Sequence, residues 1–378
     1  MSSIRKMLLQ AVPAIAVIAL AHGAWAQTPP AETAPAAEPA AEAPADAAPA
    51  EGEAAAEPAA EPAAAPAAPA APAKPRPAEM APLTPRRELL DVTKVGDHLV
   101  AVGDRGGIII STNGADWTQV ASPVRAALTA VGFADDKNGW AVGHDATILH
   151  TADGGKTWAL QNFAAELEKP FLDVLVLDAQ HALAVGAYGL FYKTDDGEHW
   201  AEVDAPAIRA DEVHFNGIAK LNDGSLFIAG EQGMLGLSTD GGATWTKLTS
   251  PYDASLFGVL PYGDKGAIIF GLRGNAYLSQ DAKAGNWTKL DTQTVASLFG
   301  GALMPDGRIV LVGLNGAVLA VDPNGSNVRS LRVPVKETDK AGREKLKDLS
   351  SALSAAIPFG SGVLVVGEEG VQRLAGLQ

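Results

Sequence analysis

The sequence predicts an all-β fold, a seven-bladed β-propeller of four-stranded antiparallel blades, and two repeated phrases predict it. One is a turn phrase, clearest in Ser238–Trp245, where Asp-Gly-Gly stands between apolar runs; glycine allows the positive φ of a tight hairpin turn. The other is an apolar strand that ends in glycine. A period in the low forties with several short strands per repeat is typical of a propeller blade. The strand phrase ends at Gly103, Gly143, Gly186, Gly230, Gly271, Gly313 and Gly367, at intervals of 40 to 44 residues with a last interval of 54.

The first 26 residues have the features of a secretory signal peptide. Arg5 and Lys6 precede an apolar stretch, Met7–Ala21, and the segment closes on Ala24-Trp25-Ala26. This order of basic, apolar and small residues predicts cleavage after Ala26 and a periplasmic or secreted protein. The apolar stretch is short for a membrane span, although an uncleaved anchor is the alternative.

Residues 27–82 are dominated by Ala, Pro and Glu and show no apolar period. Small side chains bury too little surface to offset the entropy of ordering, so we expect a disordered linker with polyproline character. The segment is either a solvated spacer or a tether that lets the following domain search a volume. The propeller is predicted for residues 83–378.

Charge and cysteine content limit the partners and the means of stabilisation. The formal net charge is −15, of which the leader carries +2, the linker −7 and the propeller −10. An acidic domain argues against nucleic acid as a partner. Because the sequence contains no cysteine, neither disulfides nor a lipid anchor on an N-terminal cysteine are expected.

Within a repeat, four strands can be placed in order. In the second repeat we predict an inner strand at 127–133, then strands at 139–142, 147–150 and 158–161. The turn phrase then joins strands three and four at the outside of the blade, so its residues are predicted to be structural. The acid or amide and the Trp of each copy are Asn113 and Trp117, Asp153 and Trp158, Asp195 and Trp200, Asp240 and Trp245, and Asp281 and Trp287; a sixth copy near Asp322 has lost its Trp.

The last repeat ends soon after its third strand. Propellers usually close by borrowing a strand from the other terminus, so we predict that Met80–Pro85 lies along the outer edge of the last blade. The alternative is a three-stranded blade. The long interval before Gly367 places an insertion at 335–356, predicted to be a charged loop with at most one helical turn. That loop is either solvated or a docking site for a partner.

Arginines stand before several inner strands, in positions that correspond from blade to blade. They are Arg86 and Arg87 before blade one, Arg125 before blade two and Arg209 before blade four. Equivalent positions meet at one mouth of the channel, where guanidinium groups could bind a carboxylate or an anionic backbone. Alternatively, these arginines pair with acids of the blades such as Glu88, Asp173 or Asp211.

The turn phrase Ser/Thr-x-Asp-x-Gly-x-Thr-Trp is similar to the BNR, or Asp-box, repeats of sialidases. Combined with the preceding Val-Gly-x-x-Gly strands, as in Val142-Gly143 with Asp153–Trp158, it resembles the photosystem II stability/assembly factor family over roughly residues 85–378. The resemblance implies an exported, non-enzymatic, seven-bladed scaffold that binds membrane-protein clients during assembly. By blade position, an arginine-rich patch of that family would correspond to Arg86, Arg87, Arg125 and Arg209.

No catalytic set emerges from the residues. A sialidase carries an Arg-Ile-Pro motif before its first box, whereas the nearest match, Arg332-Val333-Pro334, follows the last one. The histidines show no close pair, which predicts no metal site, and no phosphate-binding loop or cofactor motif is present. We therefore predict a scaffold that binds a protein client of a membrane or envelope complex. The alternative is a glycan-binding or sialidase-like propeller of the cell envelope.

Overall fold

A computed structural model describes residues 73–338 and 344–374. The predictions for the signal peptide and for residues 27–72 of the linker lie outside these residues. The first three blades follow one another as antiparallel meanders of four strands each. Their strands are β1 (Leu89–Val95), β2 (His98–Gly103), β3 (Ile108–Ser111) and β4 (Thr118–Val120); β5 (Leu128–Phe133), β6 (Gly139–Gly143), β7 (Thr147–Thr151) and β8 (Ala159–Asn162); and β9 (Phe171–Val176), β10 (Ala182–Gly186), β11 (Phe191–Thr194) and β12 (Ala201–Glu202).

Blades four to seven continue the same pattern, and a separate two-stranded hairpin stands between blades six and seven. The strands are β13 (Phe215–Lys220), β14 (Leu226–Gly230), β15 (Leu235–Ser238) and β16 (Thr246–Lys247); β17 (Leu256–Tyr262), β18 (Gly266–Gly271), β19 (Ala276–Ser279) and β20 (Thr288–Lys289); β21 (Leu298–Leu303), β22 (Ile309–Gly313), β23 (Val318–Val321) and β24 (Val328–Ser330); the hairpin β25 (Pro334–Thr338) and β26 (Glu344–Asp348); and β27 (Leu353–Phe359), β28 (Gly362–Gly367) and β29 (Gly370–Leu374).

Helical structure in the described residues is confined to short segments in turns and links. One is a four-residue α-helix, α1 (Pro206–Arg209), and the others are three-residue 3₁₀ turns. No described helix has the length and apolarity that a membrane crossing requires. The fold is therefore nearly all-β, as predicted.

The apolar core lies between blades rather than within them. Seven clusters of buried side chains are found in the described part of the chain, one at each junction of neighbouring blades. The seventh joins Leu89 and Ile109 of blade one to Leu364 and Val366 of blade seven, which closes the ring. The predicted seven-bladed propeller is thus confirmed.

Each inner strand has an irregularity in register near its start, as between Leu89 and Asp91 or between Leu256 and Gly258. An extra residue bends a strand and re-aims its side chains. At these bulges, polar side chains bridge blades one to five. The Asp91 carboxylate accepts a hydrogen bond from Val131 N at 2.8 Å, and that of Asp173 accepts one from Ile218 N at 2.8 Å.

The remaining bridges along this inner ring change in character. The Thr129 hydroxyl donates to Phe171 O at 2.8 Å, and the Asn216 amide donates to Leu256 O at 2.9 Å. Between blades five and six, the rings of Phe257 and Phe299 pack at an inclination of 54° with centroids 5.4 Å apart. Polar contacts therefore connect the first five inner strands, and an aromatic contact replaces them at the next junction.

The prediction that Met80–Pro85 supplies a fourth strand to the last blade is wrong. Within the described residues, blade seven has three strands, which was the alternative. The segment instead follows blade one, where Ala78 N donates to Ser122 O at 3.0 Å and Ala81 N donates to Gln119 Oε1 at 2.7 Å. Pro77, Pro82 and Pro85 lack the N–H groups that a strand ladder needs, and this accounts for the failure.

The insertion before blade seven is also different from the prediction. A β-hairpin, β25 and β26, replaces the expected loop with a helical turn, and Pro334 pairs with Asp348 at its base. Residues 339–343 lie outside the described part. The Val and Thr residues of β25 favour an extended backbone, which the charge of the segment had obscured.

Candidate functional site

The box turns lie between strands three and four at the outside of the blades. In blade four, Asp240 Oδ1 accepts hydrogen bonds from Thr244 N at 2.9 Å and from the Ser238 hydroxyl at 2.8 Å, and Oδ2 accepts from the Thr244 hydroxyl at 2.6 Å. Asp153 makes the same set with Thr151 and Thr157. These bonds lower the pKa of Asp240 from 3.8 to about 2. Each carboxylate therefore organises its own turn.

Blade three needs a correction, because its box acid is Asp196 and not Asp195. Asp196 Oδ1 accepts hydrogen bonds from Glu198 N at 2.9 Å and His199 N at 2.8 Å, whereas Asp195 forms an ion pair with Lys193 at 2.7 Å. The turn is one residue shorter than in blades two and four, so counting back from Trp200 places the acid one position early. Asn113 of blade one makes the equivalent bonds to Ala115 N and Asp116 N.

The box tryptophans pack against the preceding blade and differ in their indole partners. Trp158 and Trp245 donate Nε1–H to carbonyls of their own turns, Gly155 O at 2.9 Å and Gly242 O at 3.1 Å. Trp200 donates to Gln161 Oε1 on the outer strand of blade two, at 2.8 Å. Among the described residues, the buried Nε1 atoms of Trp117 and Trp287 have no partner.

The face of the propeller opposite the box turns is here called the upper rim. It contains the turns between second and third strands and the links into the inner strands. A hydrogen bond repeats in all seven blades, from the first turn residue to the carbonyl just before the inner strand. Asp104 N to Glu88 O at 3.0 Å and Glu231 N to His214 O at 2.8 Å are examples. The rim is therefore a regular frame on which variable side chains stand in equivalent places.

Six of these turns display a non-glycine residue in the left-handed backbone region, with φ between 52° and 58°. L-residues rarely adopt this conformation, and such positions often mark functional surfaces. The sequence analysis did not identify these positions, because it treated the two residues between the glycines as variable. The displayed residues are Arg105, Asp145, Tyr188, Gln232, Arg273 and Asn315.

Arginines gather where blades seven, one and two meet. A Cβ at Gly370 would lie 2.8 Å from Arg86 Cα, and one at Gly106 would lie 3.2 Å from Arg125 Cα, so turn and link are in direct contact. Arg86 and Arg105 are exposed, and Arg87 is half-buried. We call Arg86, Arg87, Arg105 and Arg125 the basic sector; the structure brings three of the four predicted arginines into it.

Acidic residues lie beside the basic sector and pair with two of its arginines. Burial, with the negative charges of Asp104 and Glu368 nearby, raises the pKa of Glu88 from 4.5 to about 7. Arg125 pairs with Glu79 at 3.1 Å and Arg105 with Asp104 at 3.4 Å, both on exposed side chains. No described acid forms an ion pair with Arg86 or Arg87, so these two guanidinium groups are available to an anionic ligand.

The fourth predicted arginine, Arg209, lies in the link to blade four and is held by the preceding blade, blade three. Its Nε donates to Gly189 O at 2.9 Å, its Nη1 donates to Val203 O at 2.7 Å, and its Nη2 bonds the Glu202 carboxylate. These contacts fasten α1 to the rim turn and outer strand of blade three. The alternative, pairing with an acid of a blade, fits Arg209, although the acid is Glu202 of blade three rather than Asp211, which pairs with Lys247.

An aromatic site on the rim escaped sequence reasoning. Tyr188, 51% exposed, lies over His214 with ring centroids 4.5 Å apart. His214 Nδ1 is 2.5 Å from Glu231 Oε2, and Lys169 Nζ lies 5.8 Å from the centre of the Tyr188 ring. The signal available in the sequence was Tyr188 itself, the only aromatic residue between the paired glycines.

Three features of the described residues bear on the alternatives of glycoside hydrolysis and metal binding. Tyr188 contacts His214 and Lys169, whereas Arg209 bonds the carboxylate of Glu202, which is the cross-strand partner of Tyr192. A groove of about 1090 Å³ on the face opposite the rim is lined by Asp97, Asp153 and Lys156 without any arginine. Over the ranges that the structure describes, no group of His, Cys, Asp or Glu could hold a metal ion.

Comparison with known proteins identifies the family. The model of the photosynthesis system II assembly factor YCF48 matches residues 109–171 and 160–330, more than half of the chain. The photosystem II assembly lipoprotein Ycf48 of Synechococcus sp. (strain CC9902) is 41% identical over 81 residues, which are 20% of this chain and 23% of that protein. The chloroplast photosystem II stability/assembly factor HCF136 of Guillardia theta is 44% identical over 54 residues, 14% of each chain. The chain thus matches under a quarter of the length of these relatives.

Two solved structures show the same fold at low identity. A structure of YCF48 bound to D1 peptide superimposes with a TM-score of 0.60 at 18% identity, covering 77% of this chain and 94% of that one. YCF48 from Cyanidioschyzon merolae gives a TM-score of 0.59 at 18% identity, covering 76% and 95%. With the family model matched across the box repeats, the chain belongs to the YCF48 family of photosystem II assembly factors.

Proposed function

We propose that this protein is an exported, non-enzymatic propeller whose basic sector binds a carboxylate-bearing segment of a membrane-protein client and so assists the assembly of a membrane complex. One observation carries the proposal: Arg86 and Arg87 lie on the hydrogen-bonded upper rim without described ion-pair partners. Guanidinium groups bind carboxylates by paired, charge-assisted hydrogen bonds.

The relatives support the choice of a protein client. The superimposable YCF48 structure is named as bound to D1 peptide, and a peptide is the ligand class that an open rim accommodates. Tyr188 adds an exposed aromatic surface on the same rim, where an apolar side chain of the client could pack. The predicted signal peptide supports export, which N-terminal mass determination on the mature protein tests.

The test is recovery of clients from solubilised membranes of the host on the immobilised full-length protein. The triple variant Arg86→Ala, Arg87→Ala, Arg125→Ala should retain about tenfold less client, because it removes charge-assisted bonds to the carboxylate. Binding to the unaltered protein should also weaken as salt rises from 0.05 to about 0.5 M, since exposed charges are screened.

A charge-matched control separates the sector from net charge. Lys247→Ala, Lys289→Ala, Arg329→Ala removes three positive charges from outer strands and should leave client recovery unchanged. Equal losses in both triple variants would contradict a specific site, and recovery of no membrane protein by the unaltered chain would contradict the function.

A further inference from the structure

The outer edge of blade seven differs from that of the other blades. Strand β29 is its last described strand, whereas blades one to six each carry a fourth strand outside the third. The N-terminal segment that could have covered β29 is bound to Gln119 and Ser122 of blade one. An edge strand presents backbone N–H and C=O groups that can pair with another chain.

Fourth strands elsewhere in the ring also serve the next blade. In blades one to four, the third residue after the box Trp lies at the same junction as the Trp of the following box. Val120 lies in one apolar cluster with Trp158, Val203 with Trp245, and Leu248 with Trp287. At the blade two to three junction the contact is polar, since Gln161 Oε1 accepts the Trp200 Nε1–H.

Blade one follows blade seven and lacks that contact. Trp117 packs in the junction cluster with Val371 of β29, and its Nε1 is buried without a described partner. Gln372, the next residue of β29, likewise has a buried Oε1 without a partner. The Nε1–H of Trp287 also has no partner, but at that junction Leu248 occupies the position of Gln161 and offers no acceptor. Because Gln372 pairs with Val365, which packs toward blade six, its acceptor lies on the other face of blade seven from Trp117. The Nε1–H of Trp117 is thus the unsatisfied donor on the face that a fourth strand would cover.

We propose that an extended segment of a client polypeptide adds to β29 as the fourth strand of blade seven. This β-augmentation rests on the proposed function, since it assumes a protein client, but it uses a different surface from the basic sector. Main-chain pairing supplies affinity in this mode of recognition, and alternate side chains supply specificity.

The other blades indicate the chemistry of that segment. The residues that face the equivalents of Arg373 are small, as in the pairs Lys193–Ala201 and Leu237–Thr246. Because Arg373 is an exposed cation at this register, an acidic residue is favoured opposite it. Two positions later, the client residue would lie next to Trp117. The corresponding residues of blades two and three are Gln161 and Val203, so an amide or an aliphatic residue is expected there.

The composition of this chain favours a client over its own linker. Residues 62–77 contain Pro62, Pro66, Pro69, Pro72, Pro75 and Pro77, and proline cannot donate to a strand ladder. The rest of the linker is rich in alanine, which is a weak strand former. A client segment with an acid opposite Arg373 and an amide or aliphatic residue two positions later fits the edge better.

The test uses the full-length protein and a labelled hexapeptide copied from its own residues 157–162 with Ala159→Glu. In blade two Ala159 faces His150, which is the equivalent of Arg373, so the introduced acid should face Arg373. We expect saturable binding by fluorescence anisotropy, with slower amide hydrogen exchange in Gly370–Leu374. The variant Arg373→Glu should weaken this peptide about fivefold and favour an Ala159→Lys peptide instead, since opposite charges across strands attract.

Three results would overturn the proposal. The first is an absence of added protection in β29 at saturating peptide, or equal binding of a Leu160→Pro peptide. The second is protection of β29 that is already present without peptide and is lost when residues 1–72 are removed, which would assign the edge to the linker. The third is protection that appears only as the protein dimerises. The triple variant of the basic sector should bind the peptide normally, so failure here would leave the proposed function standing.

Discussion

Gly233 shows how tightly single residues of the upper rim are constrained. Its φ is 70°, and a Cβ there would lie 2.0 Å from Tyr252 O. Gly233→Ala should therefore destabilise the fold by about 2–4 kcal/mol, from left-handed strain and overpacking together. Urea unfolding measures the change.

Ala146, the natural exception at this position, provides the control. It already has a φ of 48° and is fully buried. Ala146→Gly relieves backbone strain but loses a buried methyl group, so the two effects should cancel to within about 1 kcal/mol. A large loss in this control would show that strain is not what limits the position.

The free energy of unfolding should depend on pH in opposite directions through two sets of carboxylates, the buried acids of the inner strands and the acids of the box turns. Burial raises the pKa of Asp91 from 3.8 to about 7, against the two backbone N–H bonds that lower it. Because the folded pKa lies above the ordinary one, its contribution is complete below pH 3.8 and is lost as pH rises through about 7. In Asp91→Asn, urea midpoints between pH 4 and 7 should therefore decline less than in the unaltered chain.

The box acids act in the other direction. Hydrogen bonds to Thr244 and Ser238 lower the pKa of Asp240 to about 2, so the ionised form stabilises the fold above pH 3.8 and this contribution disappears as pH falls through 2. In Asp240→Asn, the free energy of unfolding from urea titrations should depend less steeply on pH below pH 4. Its dependence on pH above 4 should be unchanged. An unchanged pH dependence below pH 4 would show that ionisation of the box carboxylate is not linked to folding.

At the scale of elements, the outer strand of blade two connects two tryptophans through one amide. Gln161 Oε1 accepts from Trp140 Nε1 at 3.0 Å and from Trp200 Nε1 at 2.8 Å, and its Nε2 donates to Gly197 O at 2.8 Å. Gln161→Leu would leave three buried groups unpaired and should cost about 2–4 kcal/mol. Leu248→Gln is the converse, since it offers Trp287 an acceptor, and should cost much less; thermal unfolding of both variants makes the comparison.

The sequence made the blades predictable but not every contact between them. Strand bounds in blade two were predicted to within a residue because Gly139, Gly143 and the Asp153-Gly154 turn mark most of the strand ends. The acid of blade three was misplaced because two aspartates, Asp195 and Asp196, are adjacent and the turn is one residue shorter than in blades two and four. The paths of Met80–Pro85 and of Arg209 depend on tertiary partners, Gln119 and Gly189, that no local pattern specifies.

At the scale of the whole molecule, ring closure depends on side-chain packing. Blades one to six are each joined to the next by the chain, but blades seven and one meet without a disulfide or a borrowed strand in the described residues. The closing cluster contains Leu364, fully buried against Leu89. Leu364→Ala should cost about 2–5 kcal/mol, as for other buried leucines.

Leu319, equally buried between blades five and six, gives the matched control for closure. Leu319→Ala should lower global stability by a similar amount, because the two cavities are of the same kind. Only Leu364→Ala should in addition speed hydrogen exchange in β27–β29 below the global unfolding limit, since blade seven can separate from blade one without breaking any chain connection. Equal exchange in blade seven for both variants would show that the ring opens as one cooperative unit, and closure would then have no weaker point than any other junction.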